Sequence, residues 1–253
     1  MASYLITGTS SGLGLTLAKF LAARPKDQVS LVIAAARTKT PALDELIGKY
    51  PGRVVFVPLE VTSQESVNAA VKSVEQVLGL QGGLDILINN AGIMPFQVNG
   101  ISQATDLMHC MEVNVNSVQL MTTAFLPLLR RGKQKTILNI SSQLGSIGLA
   151  PKFAMFPVST YKVSKAAVNA LTVQWSLELA KEGFTVFSSH PGWLKTDLGT
   201  DDADLPVETG ATCTLEILDR ATNADTGKFF DINVPGWSRE GSPNVYDGSE
   251  LPW

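Results

Sequence analysis

The chain has 253 residues, 45% of them hydrophobic and 17% charged, with a formal net charge of −3. That balance supports a large core and excludes the basic stripe that nucleic-acid or anionic-membrane binding requires. Two cysteines and two histidines, Cys110, Cys213, His109 and His190, form neither a disulfide framework nor a zinc ligand set, so a reducing, cytoplasmic setting without a metal is expected.

The N-terminus "MASYLITGTSSG" lacks a basic n-region and a long apolar run, so it does not read as a signal peptide. Ser3–Thr7 reads as a buried strand followed by a glycine-rich turn. Leu13, Leu17, Phe20 and Leu21 then recur at helical spacing until Pro25. Val29–Ala36 is a second strand. Thr40 and Pro41 suit the N-cap and first turn of a helix that ends near Tyr50, Pro51 and Gly52. Arg53–Leu59 is a third strand. "TSQE", Thr62 to Glu65, signals a capping box opening a helix to Leu78, closed by Gly79, Gly82 and Gly83.

Leu84–Asn89 is a fourth strand, and a long helix is predicted over Gln103–Leu129. Lys135–Ser141 is a fifth strand. A helix containing "STYKVSKAA" follows and runs to Glu182. Phe184–Ser189 and Gly227–Ile232 are the sixth and seventh strands. Low-complexity tracts, repeats and linkers are absent from the sequence, so residues 1–253 read as one domain. Strands alternating with helices imply right-handed βαβ units: a Rossmann-type, doubly wound, mostly parallel seven-stranded α/β sheet with helices on both faces. Ligands of such sheets sit at the carboxyl ends of the strands.

Three features lie at those ends. "TGTSSGLG" links the first strand directly to a helix, with Gly8, Gly12 and Gly14 allowing a tight turn and close approach of a pyrophosphate to free N–H groups. The second strand ends "AAARTKT". It has no acid for an adenine ribose; instead Arg37, with Lys39 nearby, suits a 2′-phosphate, so NADP(H) is the expected cofactor. Tyr161 and Lys165 are four residues apart, on one helix face, where an ammonium beside a phenol would lower its pKa from about 10. Alone that pair is an ordinary helical pattern; "NNAG", "NISS" and "HPG" after other strands give it company.

"TGTSSGLG", "NNAG", "VNVNS", "NISS", "YKVSK" and "HPGWLKTD", in that order, resemble the short-chain dehydrogenase/reductase family over nearly the whole chain. The resemblance implies a nicotinamide cofactor and a catalytic set of Asn114, Ser142, Tyr161 and Lys165. Ser142 is preferred over Ser141, and Asn114 over Asn116, which lies on another helical face. In the family the serine and tyrosine bind the carbonyl oxygen, the lysine also binds the nicotinamide ribose, and the asparagine holds a water in a proton relay. The resemblance further implies that Gly8, Ser10, Ser11, Gly12, Leu13, Gly14, Arg37, Glu60, Val61, Asn90, Ala91, Gly92, Pro191, Gly192, Leu194 and Thr196 line the cofactor with Tyr161 and Lys165. The position of Glu60 usually holds the shorter aspartate.

Ser142 and Tyr161 are 19 residues apart, a wide spacing for the family. Phe153, Met155 and Phe156 in that interval either wall a pocket for a bulky ketone or serve packing. "GTDDADLPVETG" (199–210) lies where the family carries its substrate lid, and its aspartates suggest a solvated, mobile loop. The finer resemblance is to carbonyl reductases and fungal polyketide-type ketoreductases. It implies reduction of a small-molecule carbonyl, or oxidation of the alcohol, in a homodimer or homotetramer joined through the long helices. The tail after Asp231 covers either its own sheet or a neighbour's site. A catalytically silent NADP(H)-binding sensor is the alternative; it would be marked by a broken tyrosine–lysine pair, and the pair is intact.

Overall fold

The computed structural model describes residues 1–79 and 81–253. Seven strands form one sheet: β1 Ala2–Thr7, β2 Val29–Ala36, β3 Val54–Pro58, β4 Ile86–Asn89, β5 Thr136–Ile140, β6 Thr185–His190 and β7 Phe229–Asp231. Their order is β3-β2-β1-β4-β5-β6-β7, and every ladder is parallel. Direction of progress along the sheet reverses between β1 and β4, which opens a crevice above their carboxyl ends.

The strands are near-continuous apolar runs because helices cover both faces. Alternate residues of one strand therefore enter different cores. Tyr4 and Ile6 pack with α1 (Gly12–Ala23), α2 (Pro41–Lys49) and α7 (Val207–Arg220). Leu5, Ile33 and Ala35 pack with α3 (Gln64–Leu78), α5 (Ser117–Arg131) and α6 (Ser159–Leu179). Among the described residues, no helix is long and apolar enough to cross a membrane.

The structure adjusts several expectations. The long helix begins with α4 (Leu107–Met111) rather than at Gln103, and a π-turn at Glu112–Asn116 joins it to α5. Helix α7 is an addition: Ala211, Leu215 and Leu218 give it a buried face. Ser63, not Thr62, caps α3, its hydroxyl accepting from Ser66 N at 3.2 Å. Thr40 sits at the N-cap of α2, but its hydroxyl donates to Ser10 O at 2.9 Å and so ties α2 to the glycine turn. The tail folds over the edge of its own sheet. Antiparallel bridges join Phe230 to Glu250 and Asn233 to Asp247, and Trp253 stacks on Phe229 at 5.6 Å.

Candidate active site

The glycine turn is built by backbone-to-backbone packing. Gly8 has φ of +73°, and a Cβ on Gly14 would lie 2.3 Å from Gly8 O, so neither position admits a side chain. Asn90 seals the turn from the β4 side, its Nδ2 donating to Thr7 O at 2.8 Å. The Thr7 hydroxyl accepts from the N–H groups of Asn90 and Ala91 at 2.9 and 3.0 Å. Helix α1 starts at Ser11 without a side-chain cap among the described residues. The first-turn N–H groups of Gly12, Leu13 and Gly14 are thus left for an anion.

These residues line one end of a cavity of about 780 Å³. Arg37, Glu60, Val61 and Thr62 line its outer end, and Pro191, Gly192, Leu194 and Thr196 its inner side. Arg37 Nε lies 3.9 Å from Glu60 Oε2, with the two side chains 79% and 40% exposed. The longer acid folds back on its own loop: Glu60 Oε1 accepts from the Thr62 hydroxyl at 2.9 Å. A turn closed to side chains at Gly8 and Gly14, free helix N–H groups and a long crevice together fit a dinucleotide.

Ser142 follows β5, and Tyr161 and Lys165 project from the start of α6; all three are buried and line the cavity. Lys165 Nζ donates to Ile140 O at 2.7 Å and sits 5.6 Å from the Tyr161 ring centre. Burial pushes the Tyr161 phenol up to about 12, with Ser142 beside it acting to lower it. Burial likewise brings Lys165 down to about 8. Burial is the largest influence on both groups, so the lowered phenol expected from the sequence is not supplied by the protein's own Tyr161–Lys165 pair; the expectation also drew on the positive charge of an oxidised nicotinamide. Ser141 turns toward α6, its hydroxyl donating to Asn169 Oδ1 at 2.6 Å.

Asn114 is the one residue of the expected catalytic and cofactor-binding set that does not line the cavity. It lies in the π-turn, 1% exposed. Its Nδ2 donates to Ile93 O and to Ser164 Oγ, each at 2.9 Å, while its Oδ1 accepts from Ile93 N at 2.8 Å. The amide thus braces the segment after "NNAG" against α6, and both its hydrogens are engaged.

Phe153 and Phe156 line the cavity, whereas Met155 is 65% exposed and does not. Trp193 completes this wall, meeting Phe156 edge-on at 5.4 Å. Trp193 lay inside a recognised motif, "HPGWLKTD", and its size was the available signal. Met94, Phe96, His109, Gln143, His190 and Asn244 also line the cavity; Asn244 had no sequence signal at all. His190 is buried, its ring nitrogens find no partner among the described residues, and burial pushes it down to about 3. In the loop before α7, Asp201 and Asp202 are exposed as expected, but the Asp204 carboxylate is not: its side chain is 0% exposed.

Residues 3–204 match the family model described as short chain dehydrogenase. The chain is 31% identical to the short-chain dehydrogenase srdF of Neurospora crassa, over 98% of this chain and 96% of that one. It is similar in structure to the NADPH-bound carbonyl reductase from chicken fatty liver, with a TM-score of 0.86 and 32% identity over 100% of this chain and 99% of the other. The carbonyl reductase Sniffer of D. melanogaster gives a TM-score of 0.86 at 28% identity, with all of both chains covered.

Proposed function

The chain belongs to the short-chain dehydrogenase family, and from that premise we propose that it is an NADP(H)-dependent reductase of bulky, hydrophobic ketones or aldehydes. One observation carries the reading: Tyr161, Ser142 and Lys165 are buried together in a crevice whose lining also includes Phe153, Phe156 and Trp193. The nicotinamide, when bound, supplies the hydride to the carbonyl carbon. Gly8–Gly14 and Asn90–Gly92 would hold its pyrophosphate side, and Pro191–Thr196 with Lys165 its nicotinamide side.

The chain's own residues do the rest. Ser142 and Tyr161 donate hydrogen bonds to the carbonyl oxygen and so stabilise negative charge as it develops. Tyr161 then gives its proton to that oxygen. Its raised pKa favours keeping the proton until an oxyanion, a stronger base, is formed. Lys165, fixed by Ile140 O, holds its ammonium 5.6 Å from the ring of the phenolate that remains. Asn114 acts indirectly, by holding Ile93 and Ser164 in place.

Arg37 supports the choice of NADP(H), as does the NADPH held by the structurally similar chicken enzyme. We further propose that residues 1–253 act as one catalytic unit, in a homodimer or homotetramer. Val163 and Leu177 on α6 remain 42% and 67% exposed in the single chain. The buried thiols of Cys110 and Cys213 suit a reducing, cytoplasmic location.

The test is NADPH oxidation with a panel of aromatic and aliphatic carbonyls. Wild type should turn over aromatic ketones, and Tyr161→Phe should lose at least about a hundredfold in kcat while still binding NADPH. Normal turnover by Tyr161→Phe rejects the mechanism. Tight NADPH binding with no turnover across the panel rejects the enzyme in favour of a sensor.

A further inference from the structure

One buried carboxylate joins three parts of the chain that meet at the far wall of the cavity. Four donors from the C-terminal segment converge on Asp204. Arg239 Nη1 donates to its Oδ1 at 2.8 Å, and the Tyr246 hydroxyl to its Oδ2 at 2.8 Å. Ser242 Oγ reaches Oδ2 at 3.4 Å, and Asn244 Nδ2 donates to it as well. Arg239 Nη1 also reaches Asp202 O at 2.8 Å. Ionised acceptors make the stronger kind of hydrogen bond, and this one is out of water with its lone pairs engaged.

The residues that hold Asp204 also hold the cavity wall. The Tyr246 hydroxyl accepts from Trp193 N at 3.0 Å. Asn244 Oδ1 accepts from Gln143 Nε2, and Gln143 directly follows Ser142. The Arg239 guanidinium lies 5.9 Å from the Trp193 ring, on whose wall Phe156 also packs. Trp193, Phe156, Gln143 and Asn244 line the cavity; Asp204 does not.

We infer that Asp204 is a positioning and specificity-determining residue: it clamps the C-terminal strap 239–246 to the loop 199–206 and so fixes Trp193 and Asn244 as the wall that selects bulky aromatic carbonyls. The inference rests on the carbonyl-reductase reading of the cavity. Ser142, Tyr161 and Lys165 are carried by β5 and α6, so a compact carbonyl needs only that rigid end. A bulky one also needs the wall, and the wall's register depends on the strap. In Asp204→Asn the shape is kept, but one acceptor oxygen becomes a donor facing donors, which loosens the strap without touching the reacting end.

The test compares full-length wild type, Asp204→Asn and Tyr246→Phe with NADPH, using a short aliphatic aldehyde and a bicyclic aromatic ketone. Asp204→Asn should raise KM for the aromatic ketone about tenfold, the loss expected for charge-assisted bonds. Its kcat, its KM for the short aldehyde and its KM for NADPH should stay within about twofold of wild type. Tyr246→Phe removes the hydroxyl that joins Asp204 to Trp193 N but leaves Arg239 and Asn244 on the carboxylate, so it should give the same selective rise in smaller measure; it also serves if Asp204→Asn does not fold. Hydrogen exchange of the 199–206 and 239–246 amides should be faster in Asp204→Asn, independently of turnover. Equal KM increases for both carbonyls, or unchanged exchange in both segments, would overturn the clamp. Failure of wild type to reduce any carbonyl would reject the underlying reading of the cavity, and the exchange measurement would still judge the clamp by itself.

Discussion

Arg37→Asp should reverse the cofactor preference, and the size of the reversal can be worked out. Lys39 is paired with Asp44 at 2.5 Å, so Arg37 carries the interaction at the end of β2. Two unit charges about 4 Å apart in bulk water are worth about 1 kcal/mol, and the 79% exposure of Arg37 keeps it near that limit. A phosphate monoester carries nearly two charges at neutral pH. The guanidinium is then worth about 2 kcal/mol, or about thirtyfold in binding. Glu60, at 3.9 Å from the same guanidinium, offsets part of this, so a wild-type preference for NADPH of about tenfold is expected. Exchanging attraction for repulsion doubles the swing to about 4 kcal/mol, close to a thousandfold in the NADPH/NADH ratio at low salt and less at physiological ionic strength. Glu60→Gln should move the ratio the other way, about threefold to tenfold toward NADPH. The assay is kcat/KM for each cofactor with one saturating carbonyl, alongside fluorescence titration of cofactor binding. A ratio unchanged within threefold in Arg37→Asp, or a wild type that already prefers NADH several-fold, would refute the reasoning.

Three further outcomes are expected. Gly145→Ala should lower kcat about a hundredfold with a native circular dichroism spectrum, because its Cβ would lie 2.6 Å from Lys165 C and push Ser142 and Lys165 apart; a kcat within twofold of wild type would show that the contact relaxes freely. His190, normally near 6.5 and about 3 in the fold, stays neutral while the unfolded chain gains a proton, so its contribution to stability is lost as pH falls from 6.5 toward 3. Between pH 7 and 5 that is about 2 kcal/mol, measurable as the difference in urea unfolding between wild type and His190→Gln. Asp231, raised to about 7 by burial, acts in the opposite direction in both proteins and cancels from the comparison; equal pH dependence of wild type and variant would contradict the histidine assignment. Phe125→Ala, at a fully buried position of α5, should cost about 3–5 kcal/mol of stability in the same assay, and a loss under 1 kcal/mol would mean the core refills the space.

What could be read in the sequence followed local rules. β1, the glycine turn and α1 are legible because one apolar run, three glycines and a 3.6-residue period adjoin each other. The tyrosine–lysine pair is legible because four residues make one helical turn. The strap was not legible. Asp204 meets Asn244 and Tyr246 across 40 and 42 residues of chain, with no periodicity to announce the contact. An aspartate among aspartates reads as solvated, and only the folded tail shows that one of the three is enclosed. The pKa of Tyr161 likewise depends on how completely α6 is covered, a property of packing and not of the Tyr-Lys spacing.

The π-turn at Glu112–Asn116 holds one residue more than regular helical winding would use. The wider turn absorbs the rotation of about 100° that an extra residue would otherwise impose, so the helix on either side keeps its face. Met121, Phe125 and Leu129 stay in the core on one side while Cys110 keeps its packing beside Tyr161 on the other. What the extra residue supplies is therefore local: it carries Asn114 out of the regular hydrogen-bond ladder, where its amide reaches Ile93 and Ser164 at once.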